Sequence, residues 1–473
     1  MIAETEPRSS VGASARSLSQ VHKWWASKIA PLLAVTFLAL IIEPLGVGDA
    51  IRRGGAMLWS ACLLATAAYV VNDWYDREVD RAIGKESAVM AMRGSVVAAL
   101  HVALVVAAAL PWLVLGLTTT TWVAFAAIVI LPLVYSAPPL RWKTRGGLGV
   151  IADASLAHLA PATFALAAFG ALDLDDRMAA TVVAVAALIW SGAVGLRAII
   201  SHEIVDLEAD RLAGVETWVG RIGVERATRL GTWAVFPVEL MALSCVVVAL
   251  AAFTAVPMVL LAATAVAMAL ARFAGAWVAP MLVVSTPTTE RVLLFLFYRF
   301  WLGAAFLAGL IAVEPAFVTV VPVYLILFFP VARDELTSLV RGTVGTVRGL
   351  AWIIYGKGIR RAGNWSRYRL PEYASAVGAA AAWIGRGVAS AATAAGRGLV
   401  AGATATGRGL AAGATATGRG LAAGTSAAGR GLGIAAGAIG RFFVSTWSTV
   451  RRFVWRAYRK CRRTILARTR SHT

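Results

Sequence analysis

Cysteine is nearly missing from this chain: Cys62, Cys245 and Cys461 are spread over 473 residues. That excludes a disulfide framework and a thiolate metal motif. Charge is scarce too, at 15% of residues against 59% hydrophobic ones. With a mean hydropathy of +0.73, a soluble core is excluded as the main architecture. Acid is scarcer still, with 25 Asp and Glu against 45 Lys and Arg, a net charge of +20. The N-terminal stretch has no signal-type h-region. Residues 1–28 are polar and include Glu4 and Glu6, and the apolar run that follows is too long for one, so no cleaved signal is expected.

Long apolar runs are what the chain has in quantity. Runs of spanning length fall at about 29–47, 55–72, 95–117, 119–135, 149–170, 178–200, 230–252, 256–280, 293–312 and 315–331. Only Glu314 and Pro315 separate the last two. The expected fold is all-α, a polytopic transmembrane helical bundle of nine to ten spans. Basic loops set its orientation. Arg77, Arg81, Lys85 and Arg93, then Arg141, Lys143 and Arg145, then Arg211, Arg221, Arg226 and Arg229 all fall on one side of an alternating topology, as do Lys23 and Lys28. That side is expected to be cytoplasmic, in the inner membrane. Arg52 and Arg53 oppose the pattern.

The expected divisions are a polar N-terminus (1–28), a transmembrane domain (29–331), a basic linker (332–384), a repeat segment (385–441) and a basic aromatic tail (442–473). Arg386, Arg397, Arg408, Arg419, Arg430 and Arg441 recur every 11 residues, each after a glycine. Eleven residues are about three helical turns, so the arginines would form a slowly drifting stripe. Leu399, Leu410, Leu421 and Leu432 would lie on the opposite face. Such a basic Gly/Ala/Arg repeat suits a helix lying on anionic lipid headgroups. Its glycines equally suit a low-complexity chain without fixed structure. Phe442, Phe443, Trp447, Phe453, Trp455 and Tyr458, interleaved with arginines, make the last stretch the better amphipath. No nucleic-acid partner is expected, and no obligate protein partner is inferred.

Against this basic background stand two acidic clusters, each at the end of an apolar run. The first is Asn72-Asp73-Trp74-Tyr75-Asp76-Arg77-Glu78-Val79-Asp80, and the second is Glu203-Ile204-Val205-Asp206-Leu207-Glu208-Ala209-Asp210. Together they hold eight of the 25 acids. Carboxylates at a bilayer face are costly unless a cation neutralises them. If helix continues through each cluster, Asn72, Asp76 and Asp80 share one face, with Asp73 beside it, and Asp206 and Asp210 share another. Oxygen ligands of this kind suit Mg²⁺ bridging to a phosphate, and two such faces can clamp a diphosphate and stabilise it as a leaving group. The plainer alternative is two solvated helix ends paired with Arg77, Arg81 and Arg211. His202, just before the second cluster, is either a base for an acceptor proton or an ordinary helix-end residue.

These residues resemble a family. Asn72-Asp73-x-x-Asp76-x-x-x-Asp80 is similar to the first signature of the UbiA-type intramembrane prenyltransferases. Asp206-x-x-x-Asp210-x-x-x-Gly214-x-x-Thr217-x-x-x-Arg221-x-Gly223 is similar to the second. Tyr135-Ser136-Ala137-Pro138-Pro139-Leu140-Arg141-Trp142-Lys143 resembles the tyrosine-and-basic loop between them. The resemblance covers about residues 24–331. It implies a helical bundle around a cavity, with Mg²⁺ assisting ionisation of an allylic prenyl diphosphate and the prenyl group passing to an aromatic or other lipophilic acceptor. It implies metal ligation by Asn72, Asp73, Asp76, Asp80, Asp206 and Asp210, with Asp76 and Asp206 central to catalysis. Arg141 and Lys143 would hold the diphosphate, helped by Asn72 and by Lys28 at the start of the first span. Tyr135 would steady the diphosphate or the cation. The family's Arg-Pro pair after the first signature is replaced by Lys85-Glu86-Ser87, so Lys85 is the candidate for the missing charge. Two alternatives stay open: a terpene cyclase that needs no acceptor, and a non-catalytic membrane scaffold acting through its basic tail.

Overall fold

A computed structural model of the chain describes residues 24–82, 84, 87–172, 177–212, 214–273, 297–334, 337 and 344–345. The chain divides into two compact units, Met1–Ala351 and Trp352–Thr473. All described residues lie in the first, so the repeat segment and aromatic tail lie outside them. The described residues are helical, with no strand among them.

In order, the helices are α1 (Trp25–Ile42), α2 (Val47–Ala82), α3 (Gly94–Leu115), α4 (Thr119–Ser136), α5 (Gly147–Ala168), α6 (Met178–Leu212) and the short α7 (Trp218–Ile222). There follow α8 (Val224–Leu250), α9 (Val256–Phe273), α10 (Trp301–Val313) and α11 (Val320–Leu327). Seven of them, α1 to α6 and α8, are long and apolar enough to cross a membrane. They coincide with the first seven expected runs. The eighth run passes beyond Phe273, and the ninth begins, outside the described residues. In the last part of the domain α10 and the segment Pro315–Leu327 are apolar but shorter.

Sequence explains which helix goes where. Every residue of α1 from Ala30 to Ile42 is buried, as expected of a helix apolar on all sides. It packs on α10 and α5. Helix α3 is apolar too, yet Val102, Val106, Leu110, Leu113 and Val114 are exposed; for a spanning helix this is the face that meets lipid. Its other face carries Trp112, fully buried, edge-on to Phe164 at 5.3 Å. The Trp112 indole donates to Ser60 Oγ at 2.8 Å, and Ser60 donates to the Ala108 carbonyl at 2.7 Å. Helices lack a hydrophobic drive to associate within lipid, so packing and internal polar bonds of this kind supply the cohesion.

A second polar lock joins α6 to α8. Arg197 Nε and Nη2 meet Glu239 Oε2 and Oε1 at 2.5 and 2.7 Å, and the Tyr298 hydroxyl donates to Glu239 Oε1 at 2.8 Å. All three residues are buried. A bidentate pair with an added donor is the arrangement in which a buried charge is satisfied.

Arg52 and Arg53, which oppose the loop-charge pattern, have local partners. Arg53 donates to the Ala168 carbonyl at the end of α5 at 2.8 Å, and Arg52 pairs with Asp49. A cation at a helix C-terminus meets the negative end of the dipole.

Candidate active site

Both acidic clusters lie on unbroken helix. Helix α2 runs 36 residues to Ala82, and α6 runs 35 residues to Leu212. The i, i+4, i+8 relation of Asn72, Asp76 and Asp80 therefore exists, as does the i, i+4 relation of Asp206 and Asp210.

The loop between α4 and α5 folds onto the first cluster. Lys143 Nζ donates to Asp76 Oδ1 and lies 3.5 Å from Asn72 Oδ1. Arg141 Nη2 is 3.3 Å from the same Asp76 oxygen. Ser136 Oγ donates to Asn72 Oδ1 at 3.1 Å. Arg141 is the one described non-glycine residue with positive φ, at 36°, and this left-handed turn brings both basic side chains to one carboxylate. The loop also presses on the start of α5. A Cβ on Gly149 would lie 2.9 Å from the Trp142 carbonyl and 3.0 Å from Lys143 Cα, so the position suits glycine alone. Lys143 is mostly buried, and burial lowers its pKa although Asp76 pulls the other way.

The segment that follows the second cluster reaches the same loop. Arg221, from α7, donates to the Thr144 carbonyl at 3.1 Å and so ties the segment after α6 to the basic loop. Glu203 Oε2 accepts from the Val219 amide at 2.8 Å, joining α7 back to α6. Thr217 caps α7 by accepting from the Gly220 amide at 3.3 Å. Tyr135 lies at the end of α4, next to Ser136. Asp210 has its pKa raised, first by burial and then by the Asp206 charge.

Other expected residues have different company. Asp73 is buried and accepts from Ser87 Oγ at 2.7 Å. Asp80 is also buried. Asp206 Oδ2 meets His202 Nδ1 at 2.8 Å. Lys28 Nζ lies 3.1 Å from His158 Nε2, within α5. Lys85 lies outside the described residues. Arg77 pairs with Glu78 at 3.6 Å and sits over the Trp74 ring, while Arg81 donates to the Met90 carbonyl.

Three residues escaped the sequence reading. Ser87 holds Asp73, although its stretch had stood out only as a departure. Asp153 and His158 lie inside the apolar run of α5, and His158 is the residue that meets Lys28. A titratable residue within a span is itself a signal of function.

The donor set consists of hard oxygens, the class Mg²⁺ takes. Among the described residues no group of three or more His, Cys, Asp or Glu side chains converges to hold a metal. Mg²⁺ commonly uses one or two carboxylates and takes further oxygens from phosphate and water, so the two faces fit it in chemistry.

A helical membrane bundle with two acidic helix ends and a basic loop at one end defines a class. The sequence profile of the UbiA prenyltransferase family matches residues 32–281, and the chain belongs to that family. It is 32% identical over 187 residues to a lycopene elongase/hydratase of Halobacterium salinarum, a match covering 38% of this chain and 62% of that protein. It is 33% identical over 219 residues to a digeranylgeranylglyceryl phosphate synthase of the same species, covering 45% and 71%. Among solved structures, a UbiA homolog from Archaeoglobus fulgidus bound to DMAPP and Mg²⁺ matches at 17% identity and a TM-score of 0.42, covering 63% of this chain and 98% of that one. A structure of a digeranylgeranylglyceryl phosphate synthase matches at 14% and 0.38, covering 63% and 98%.

Proposed function

We propose that this chain is an integral-membrane prenyltransferase that releases diphosphate from an allylic prenyl donor and passes the prenyl group to a lipophilic acceptor. The observation that carries the reading is the meeting of Arg141 and Lys143 on Asp76, in a loop that Arg221 ties to the segment following the second acidic cluster.

Asn72, Asp76 and Asp80 would hold Mg²⁺ from one side, with Asp73 in support, and Asp206 and Asp210 would hold it from the other. When bound, Mg²⁺ would neutralise charge on the diphosphate leaving group. Arg141 and Lys143 hold phosphate oxygens; Arg is suited to a bidentate grip and Lys to a point contact. Lys28, with Lys85, adds positive charge for the substrate. Tyr135 would steady the diphosphate or offer π-density to a developing allylic cation. His202 orients Asp206 through their hydrogen bond. We place the site at the cytoplasmic face of the inner membrane on the loop charges, with nine to ten spans. The relatives' names point to lipid-sized isoprenoid chemistry, in keeping with a lipophilic acceptor here.

The test is diphosphate release from radiolabelled prenyl diphosphates by the purified chain. Asp76→Asn and Asp206→Asn are each expected to lower Mg²⁺-dependent release by about 100-fold or more, the scale of losing one preorganised electrostatic contribution. Full turnover in both variants refutes the assignment. A cyclised product formed from donor alone would make the enzyme a cyclase.

A further inference from the structure

We infer that Lys143 has a second role, as an internal counter-ion that occupies the Asp76 carboxylate until a diphosphate draws it away. Anion binding and divalent-cation binding are thereby coupled. This inference rests on the reading above that Asp76 is a metal ligand.

One oxygen, Asp76 Oδ1, receives both Lys143 Nζ and Arg141 Nη2, and Lys143 also reaches Asn72 Oδ1 at 3.5 Å. These are the oxygens the first acidic face offers to a divalent ion. The loop is held in that place from several directions. Ser136 is bonded to Asn72, Arg145 to the Pro139 carbonyl at 2.7 Å, and Arg221 to the Thr144 carbonyl. Gly149 admits the loop backbone at a distance no side chain allows. The two cations are therefore built into the site.

A divalent ion on Asp76 would meet the ammonium of Lys143 at close range, and like charges in a half-buried setting repel strongly. A diphosphate removes the conflict. Its oxygens accept from Lys143 and Arg141 in exchange for Asp76 Oδ1, and the carboxylate becomes available. Nothing is transferred covalently; one set of hydrogen bonds replaces another. Because linkage is reciprocal, anion and cation each raise the affinity for the other by the same factor. The consequence runs against intuition: deleting the lysine charge tightens metal binding when no diphosphate is present.

The experiment measures Mn²⁺ binding by electron paramagnetic resonance to the full chain in detergent, without substrate. Lys143→Met is expected to bind Mn²⁺ about 10-fold more tightly than wild type. Lys143→Gln repeats the test if the methionine variant is poorly folded. Lys143→Arg keeps the charge and is expected to match wild type. Unchanged or weaker Mn²⁺ binding in the charge-deleted variants overturns the inference, as does equal tightening in Lys143→Arg. Asp76→Asn placed on Lys143→Met separates the two levels of argument. If it abolishes the gain, both stand. If Asp76→Asn weakens Mn²⁺ binding but Lys143→Met changes nothing, the metal assignment stands and the counter-ion role falls. If the double variant binds as tightly as Lys143→Met, Asp76 is no ligand and both fall.

Discussion

At the scale of single residues, the informative positions are polar side chains inside an apolar bundle. Glu239 is fully buried and carries Arg197 and Tyr298. Glu239→Ala strands the Arg197 charge and is expected to destabilise the fold by about 3–5 kcal/mol. The pair Arg197→Met with Glu239→Leu removes both charges and is expected to recover most of that loss. Thermal unfolding in one detergent checks both; equal damage in the single and double variants refutes the pairing account. Ser60 is a milder case. Ser60→Ala removes the partner of the Trp112 indole and is expected to cost about 1–3 kcal/mol, the penalty of a buried donor left unmade. Residues of this kind were hard to read in advance. Arg197 and Glu239 each sit in an expected apolar run, 42 positions apart, and nothing in spacing shows that two isolated charges meet. Asp73 teaches the same lesson: its place beside the motif face was legible, its bond to Ser87 was not.

At the scale of elements, close approach of helices positions the site. A Cβ on Gly195 of α6 would lie 2.7 Å from the Ala154 carbonyl of α5, so this contact is made backbone to backbone, as small residues permit within membranes. Gly195→Val is expected to push α6 from α5 and displace the second acidic cluster. Mn²⁺ affinity of the folded variant should fall by about 10-fold, a coupling of roughly 1.4 kcal/mol. A folded Gly195→Val variant with wild-type metal affinity contradicts this account. The helices themselves were largely legible, because an apolar run of spanning length has one structural solution in lipid. The seven spans match the first seven runs for that reason. Their ends were less legible, since hydropathy fades where polar residues gather. The runs 55–72 and 178–200 ended before the acidic clusters, while α2 and α6 continue through them to Ala82 and Leu212. The i, i+4 spacing of the acids carried the information that hydropathy lost. The left-handed turn at Arg141, by contrast, is a local backbone choice that no periodicity announces.

At the scale of the whole molecule, the compact unit Met1–Ala351 holds every residue assigned to chemistry. We propose that residues 352–473 serve the membrane surface. A chain ending at Ala351 is expected to keep its Mg²⁺-dependent turnover and to bind vesicles of anionic lipid less well than the full chain. Lost turnover in that shorter chain would make the tail part of the catalytic unit. The order of acidic cluster, basic loop and acidic cluster was visible in the sequence because each is a short pattern on its own element; the ties of the basic loop to Asp76 and to Arg221 are a property of packing. One consequence lies in the lengths of α2 and α6. At about 1.5 Å per residue, helices of 36 and 35 residues reach about 50 Å, some 20 Å more than the hydrocarbon layer. That excess is enough to carry their acidic ends past the oil while their bodies cross it. An amphiphile with a charged head and a greasy tail would then reach those ends from within one leaflet. Under the proposed function, a donor in the opposite leaflet would first have to cross the bilayer.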